Sequence, residues 1–437
     1  MKKFLFVPSL AFGLVLTLSA SSPYIDPDSV SVAQDSATRR VSVKYVLSDA
    51  PGIVTVDFQT NVTGSASGPW ASIGSRNFVT VAGDVNRLVE NSSDEREIWW
   101  FPQDDWPNRK IASGNLRAVV TAWAKDCPPD YMVVDLAIPS NRQFYVSEEA
   151  LPQCVTDRVY KTDKILLRRI HARNRVWRMG RGSDNELTWS TSYDTPCEVT
   201  LTNDYYMGVY PVTRGQYGKI ASAPATSLSL DDPDVNPIAN VRWIDLRANA
   251  SHGDGNLWPE GGHTVNSGLF LGKLRGRTGI LFDLPTEAQW EFACRAGAGS
   301  AFNNGKNIDS TAAQEGVSAN LDEVGWYNKN SGGVTHPVGL KKPNAWGLYD
   351  MHGNVSELCV DFFPYNSGRT AIDMTRAPGR RVEPVGFAPT ADADRYNHCT
   401  CGGGYSDVTW RCRSANRTAV TWESYGGFRL WAPAVCP

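Results

Sequence analysis

The sequence predicts a mixed α+β chain. A small all-β, sandwich-like module covers residues 22–138, and a larger part with little regular secondary structure runs from residue 164 to 437. Three observations carry this expectation. Short alternating runs separated by turn residues fill the first third, without helical periodicity. The remainder is made of Gly-rich strings joined by Trp and Tyr, which imply irregular backbone held by aromatic packing. One segment, Leu284–Gly297, reads as a helix: Pro285 and Thr286 open it, and Thr286 with Gln289 forms a capping box. Trp290, Phe292 and Ala293 would supply much of its buried side.

A length of 437 residues suits two domains, and 41% apolar residues with 15 Trp provide for substantial cores. Net charge is -3, which gives no electrostatic case for nucleic acid or an anionic membrane. Residues 1–20 read as a secretory signal peptide. Lys2 and Lys3 form a basic start, Phe4–Leu18 is apolar, and Ser19, Ala20 and Ser21 are small enough for cleavage. An uncleaved anchor is the alternative. No Cys follows the apolar run, which disfavours a lipoprotein. The expectation is a secreted or periplasmic protein with no transmembrane segment after cleavage. Nine cysteines fit an oxidising compartment, and their odd number leaves at least one unpaired within the chain.

In the first module, Val41–Leu47 and Val54–Gln59 alternate around the turn Asp49-Ala50-Pro51-Gly52, which predicts a hairpin. Further β-type runs lie at 77–81, 97–101, 116–124 and 131–136. Trp99, Trp100, Phe101 and Trp106 read as core aromatics, with a sugar-stacking platform as the alternative. Residues 139–163 read as a linker. The basic stretch from Lys164 to Arg178 is interrupted by Ile165, Leu166, Leu167, Ile170, Val176 and Trp177, so it reads as an entry strand or hairpin with solvated Arg rather than a nucleic-acid patch.

Several strings follow in order. They are Trp177-Arg178-Met179-Gly180, Tyr206–Thr213 with Gln216-Tyr217, Asn236-Pro237-Ile238 with Val241-Arg242-Trp243, and Leu284–Gly297. His336–Gly339, Pro343–Glu357, Gly402–Tyr405, Cys412–Arg417 and Gly427–Leu430 complete the series. In this order they resemble the formylglycine-generating (sulfatase-modifying factor) family. The resemblance implies a C-type-lectin-related α+β fold and, nominally, oxidation of a protein cysteine to formylglycine with O₂.

It also implies cofactors and a disulfide. Asp350, Gly353, Val355 and Glu357 match a family calcium site, two giving carboxylate and two giving carbonyl oxygens, the hard donors Ca²⁺ prefers. Alternatively, Asp350 caps a turn and Glu357 pairs with an arginine. Asn320 and Leu321 match the start of a second calcium site. Cys294 and Cys412 match a family disulfide, worth roughly 4–5 kcal/mol as an upper estimate for so long a loop. Cys127 and Cys154 form a further candidate pair, and Cys359 sits where many bacterial relatives also carry Cys. The family holds copper with two active-site cysteines, thiolates being soft ligands for Cu(I). The matching positions here are Asp407 and the stretch Val408-Thr409-Trp410, without sulfur. Cys399 and Cys401 are the substitute candidates, since alternate residues on a strand project to one face; separate disulfides or buried thiols are the other readings.

Three functions therefore compete, one of them a structural cell-surface protein whose β module docks to a partner. The first is cysteine oxidation, of a sulfatase-type substrate. The second is a non-catalytic, lectin-like module that binds a protein or peptide, in which Asp407, Thr409, Trp410, Asn416, Trp422 and Tyr425 line the ligand surface. A sulfatase or a cell-surface protein is the expected kind of partner. Ser356, Leu358, Val360 and Phe362, where the family usually has Trp, point to an altered groove or altered packing.

Overall fold

The computed structural model describes residues 22–61, 68–109, 111, 114–138, 142–181, 194, 196–247, 262–310, 315–363, 381–382, 397–421 and 424–435. In the first module Val41–Ser48 alternates as predicted, with Val41, Val43, Tyr45 and Leu47 turned inward. It pairs antiparallel with Ser93–Trp100 on one side and with Ser31–Gln34 on the other. Gly52–Asn61 belongs to a second sheet, pairing with Leu116–Trp123 from Ile53↔Trp123 to Thr60↔Leu116. Thus the two runs flanking the Asp49–Gly52 turn enter different sheets of a sandwich. Tyr45, Phe58, Ile98, Trp100 and Val120 fill the space between the sheets. Trp100 packs on Phe58 with ring centroids 4.7 Å apart, and its Nε1 donates to Asp105 Oδ2 at 3.1 Å. The aromatic run is therefore core at Trp100.

The end of the expected first module, short of residue 138, lies within a sheet shared with the C-terminal part. Tyr131–Asp135 pairs with Lys164–Ile170, from Tyr131↔Arg168 to Asp135↔Lys164, and with Arg142–Tyr145. These strands continue through Tyr205–Gly208 to Trp431–Pro433 in one five-stranded antiparallel sheet. The stretch expected as a linker supplies a strand and a helical turn, Val159–Thr162. Burial explains this. Tyr145, Leu151, Val155 and Tyr160 are inside, against Tyr131, Val133, Leu166 and Tyr210, and a free linker would leave them in water.

Lys164–Ile170 is the predicted entry strand, but its arginines are paired rather than solvated. Arg168 Nη1 meets Asp130 Oδ2 at 2.7 Å, and Arg169 Nη2 meets Asp204 Oδ2 at 2.6 Å. The helix Glu287–Arg295 has the predicted capping box: Gln289 N donates to Thr286 Oγ1 at 3.2 Å, and Thr286 N donates to Gln289 Oε1 at 2.9 Å. It buries Ala288, Trp290, Ala293 and Cys294, while Phe292 is half-buried against Trp177 and Trp346. Glu357–Phe362, Asn397–Cys401 and Arg417–Thr421 form a three-stranded sheet beside this helix.

The two parts share apolar contacts. Ile53 is fully buried in the main C-terminal core, and Leu88 and Trp123 pack against it. No helix among the described residues is long and apolar enough to cross a membrane.

A fragment starting at Pro139 lacks Tyr131–Asp135, an internal strand of the sheet, and should show no cooperative thermal unfolding. One starting at Lys125 keeps that strand and should melt cooperatively; circular dichroism of both checks the boundary.

Candidate functional site: the Gly402–Cys412 turn and its support

The Asn397–Cys401 strand leads into glycines with positive φ, Gly402 at 85° and Gly403 at 65°. A Cβ on Gly402 would stand 3.1 Å from the Trp290 ring, and one on Gly403 would stand 2.9 Å from Cys412 Sγ. The backbone thus lies directly on the core before it turns outward. Asp407 closes that turn: its Oδ2 accepts from Gly404 N at 2.8 Å and from Ser356 Oγ at 3.5 Å. Its Oδ1 pairs with Arg411 Nη1 at 3.1 Å, and the Arg411 guanidinium lies over the Trp410 ring, 5.3 Å from its centroid.

Of the six residues expected on a ligand surface, Asp407 and Trp410 are partly exposed and Tyr425 is 65% exposed. Thr409 and Asn416 are not on it. Thr409 is fully buried and donates to Gly316 O at 3.0 Å; Asn416 is buried, with Nδ2 3.4 Å from Thr418 Oγ1. Trp422 lies outside the described residues. Sequence reasoning missed Arg411 as part of the surface, although its spacing of four from Asp407 was a usable signal.

Cys399 and Cys401 do point to one side, as expected, and Cys359 joins them from the neighbouring strand. Cys401 Sγ lies 3.9 Å from Cys359 Sγ and 3.9 Å from Cys399 Sγ. All three are buried, so no substrate thiol can reach them from solvent in this arrangement. Beside them sits a buried ionic network. Arg417 Nε donates to Glu287 Oε2 at 2.7 Å and Arg417 Nη2 to Glu291 Oε2 at 2.6 Å, while Arg295 Nε meets Glu291 Oε1 at 2.7 Å. Cys399 Sγ is 3.5 Å from Glu287 Oε2.

Arg429 forms a second buried centre. Its Nη2 and Nε donate to Glu357 Oε1 and Oε2 at 2.9 and 3.1 Å. Its remaining protons go to the carbonyls of Gly208, Val209 and Tyr349 at 2.7, 2.9 and 2.7 Å. Trp290 Nε1 donates to Glu357 Oε2 at 2.6 Å. Asp350, in a left-handed turn at φ 55°, accepts from Gly339 N at 2.7 Å and Asn354 Nδ2 at 3.3 Å. Burial pushes its carboxyl above the ordinary range.

A family model for the sulfatase-modifying factor enzyme 1-like domain matches residues 143–433. The chain belongs to this family. It is 29% identical to the chaperone protein LppX of Paenibacillus barcinonensis, over 38% of this chain and 64% of that protein. It is 28% identical to the formylglycine-generating enzyme of Thermomonospora curvata, over 50% of this chain and 62% of the enzyme. In both cases it spans less than two thirds of the relative's length. Among solved structures, Treponema denticola variable protein 1 aligns at TM-score 0.42 with 20% identity, over 62% of this chain and 95% of that one. PvdO from Pseudomonas aeruginosa aligns at 0.43 with 22% identity, over 61% and 94%.

Against the family's implied cofactors, the residues present do not fit. At the copper positions Asp407 and Thr409 offer oxygen in place of the two thiolates. At the calcium positions Glu357 is held by Arg429, a cation of the chain's own, and Asp350 is held by two N–H donors. Asn320 likewise has its carbonyl taken by Asn304 Nδ2 at 2.9 Å, and Leu321 is fully buried. Among the described residues no three His, Cys, Asp or Glu side chains are disposed to hold a metal ion.

The implied disulfide is also not formed: Cys294 and Cys412 are both free, and so are Cys127 and Cys154. The His352 ring stands between Cys294 and the Cys412 backbone. Its Nδ1 donates to Cys412 O at 2.7 Å, its Nε2 accepts from Asn303 N at 3.0 Å, and Cys294 Sγ lies 3.9 Å from that Nε2.

Melting scans with and without EDTA should coincide; a chelator-dependent fall of several degrees would put a cation at Glu357 instead of Arg429. Arg429→Ala leaves Glu357 buried and unpaired and should cost about 3–5 kcal/mol in denaturant titration.

Burial pushes the His352 imidazole pKa down to about 4 and that of His398, stacked on Trp243, down to about 3. Unfolded imidazoles protonate near 6.5, at a pH where the folded ones stay neutral, so stability should fall as pH drops from about 6.5 towards 4. The melting temperature against pH checks this, and His398→Phe should make the slope roughly half as steep.

Proposed function

We propose that this family member recognises a protein or peptide ligand and does not oxidise cysteine. The observation that carries this reading is the replacement at the turn. Where the resemblance calls for copper-binding thiols, Asp407 is engaged by Gly404 N, Ser356 and Arg411, and the chain's own thiol trio is buried behind it. A partly exposed ion pair with an aromatic beside it, Asp407–Arg411 with Trp410, matches the composition that protein-recognition surfaces favour, and the exposed Tyr425 adds a second aromatic to the proposed ligand surface. Arg411 would meet an acidic group, and the aromatic faces would meet apolar or planar side chains.

The leader-like sequence of residues 1–20 supports a secreted or periplasmic location, where a cell-surface protein or a sulfatase is an accessible partner. The family scaffold does not decide between catalysis and binding, since function resides in the site carried on a fold.

Two measurements on one preparation test the proposal. A peptide with the Cys-x-Pro-x-Arg motif, incubated with the protein, Cu(I) and O₂, should keep its Cys unchanged by mass spectrometry. Immobilised protein should enrich binders from a displayed peptide library, and Arg411→Ala with Tyr425→Ala should reduce their retention at least tenfold, the scale of a hot-spot loss. Conversion of the Cys to an aldehyde would sink the reading.

A further inference from the structure

The thiol trio has no part in the recognition surface, yet its arrangement is specific. Cys399 and Cys401 lie on one face of their strand, and Cys401 stands opposite Arg417 in the register of the adjacent strand. The pairing with Glu357–Phe362 is irregular. Leu358 faces Thr400 and Phe362 faces His398, so Cys359, Val360 and Asp361 together oppose the single residue Cys399. That irregularity brings Cys359 Sγ to 3.9 Å from Cys401 Sγ, the same separation as Cys399 to Cys401. Cys401 thus touches both other thiols, and Cys359 and Cys399 also hydrogen-bond each other.

We infer that the trio is a redox modification site, in which Cys401 forms a disulfide with one of its two neighbours at the expense of a small-molecule disulfide. Alternate residues of a strand lie roughly 6.6 Å apart at Cα, inside the range of about 4.4–6.8 Å that a disulfide spans. The Cβ atoms of such a pair lie farther apart than the roughly 3.5–4.5 Å of a disulfide, so closure from 3.9 Å to bonding distance takes local backbone movement as well as side-chain rotation.

Three local features assign the roles. Cys359 and Cys399 hydrogen-bond Cys401 and, with Arg417 nearby, favour its thiolate, the nucleophilic form. Cys399 Sγ stands 3.5 Å from Glu287 Oε2, which can take the proton of the second thiol. Finally, a disulfide is neutral, so its formation removes a buried anion from an apolar core.

The reaction balances as ordinary thiol–disulfide exchange. The Cys401 thiolate attacks one sulfur of the small disulfide and expels the other half as a thiolate. Cys399, its proton passed to Glu287, then attacks the Cys401 sulfur and expels the second half. Two protein thiols lose two electrons, and one small disulfide becomes two thiols. Cys359, equally close to Cys401, can exchange into the bond afterwards. Because the sulfurs are buried, the reaction waits on opening of the sheet and should lag behind that of exposed Cys127 and Cys154.

The test uses the full chain and oxidised glutathione. After prolonged incubation the protein is denatured in N-ethylmaleimide, digested without reduction and read by mass spectrometry. The expected result is loss of two hydrogens from the peptide carrying Cys399 and Cys401, or a cross-link from Cys401 to the peptide carrying Cys359, appearing after glutathione has added to Cys127 and Cys154. Cys401→Ala should abolish the linkage, while Cys359→Ala should keep it between Cys399 and Cys401. Should Cys401→Ala fail to fold, the wild-type time course and Cys359→Ala still decide. Three N-ethylmaleimide adducts at Cys359, Cys399 and Cys401 would overturn the proposal, and so would a Cys359–Cys399 bond with Cys401 free. None of these outcomes depends on whether the surface turn binds a peptide.

Discussion

The contact on which the C-terminal part depends is the buried ion pair between Arg429 and Glu357. A guanidinium taken fully out of water is tolerated only when its donors are matched. Here it serves the carboxylate and three carbonyls, from the end of the Tyr205–Gly208 strand, the residue after it and the turn at Tyr349. Gly208 ends that strand, and Val209 O also accepts from Tyr349 N at 3.0 Å, so the guanidinium fastens the strand's end to the turn at Tyr349. Trp290 extends the same centre to the capped helix through Glu357. Sheet, turn and helix therefore meet at two charged residues far apart in sequence.

What could be read from sequence divides along physical lines. The capping box at Thr286 was legible because it is local, and so was the alternation of Val41–Ser48. The family strings were legible because their spacing survives. Sheet membership of Tyr131–Asp135 was not, because its apolar run looks the same whichever sheet it joins; only the buried Tyr145, Leu151 and Tyr160 beyond it settle the matter. Thr409 and Asn416 were placed on the surface because irregular backbone has no period from which inside and outside can be told. Cys359 was noted but not joined to Cys399 and Cys401, since a strand pairing across a long connection leaves no local mark. Of the two readings open for Glu357, the pairing with an arginine is present, through Arg429.

The departures from the family pattern now separate into kinds. Leu358, Val360 and Phe362 are all fully buried in the main core, so smaller side chains there changed packing rather than a groove. Ser356 is different, since its hydroxyl reaches Asp407 in the exposed turn. The charged centres lie inside the scaffold, while the turn presents a carboxylate and a guanidinium where the resemblance implies sulfur. A fold with little regular secondary structure tolerates such exchange because buried side chains, not ladders of backbone bonds, hold its loops in place.

The seating of Ile53, Leu88 and Trp123 in the C-terminal core, together with the bond from Phe144 N to Asn86 O at 2.8 Å, has a mechanical meaning. Two modules joined by a loose tether pivot, and a load on one is not felt by the other. Here the joint is packed, so the two parts resist pivoting. Turning one part against the other has to pull these side chains out of an apolar core and break that bond.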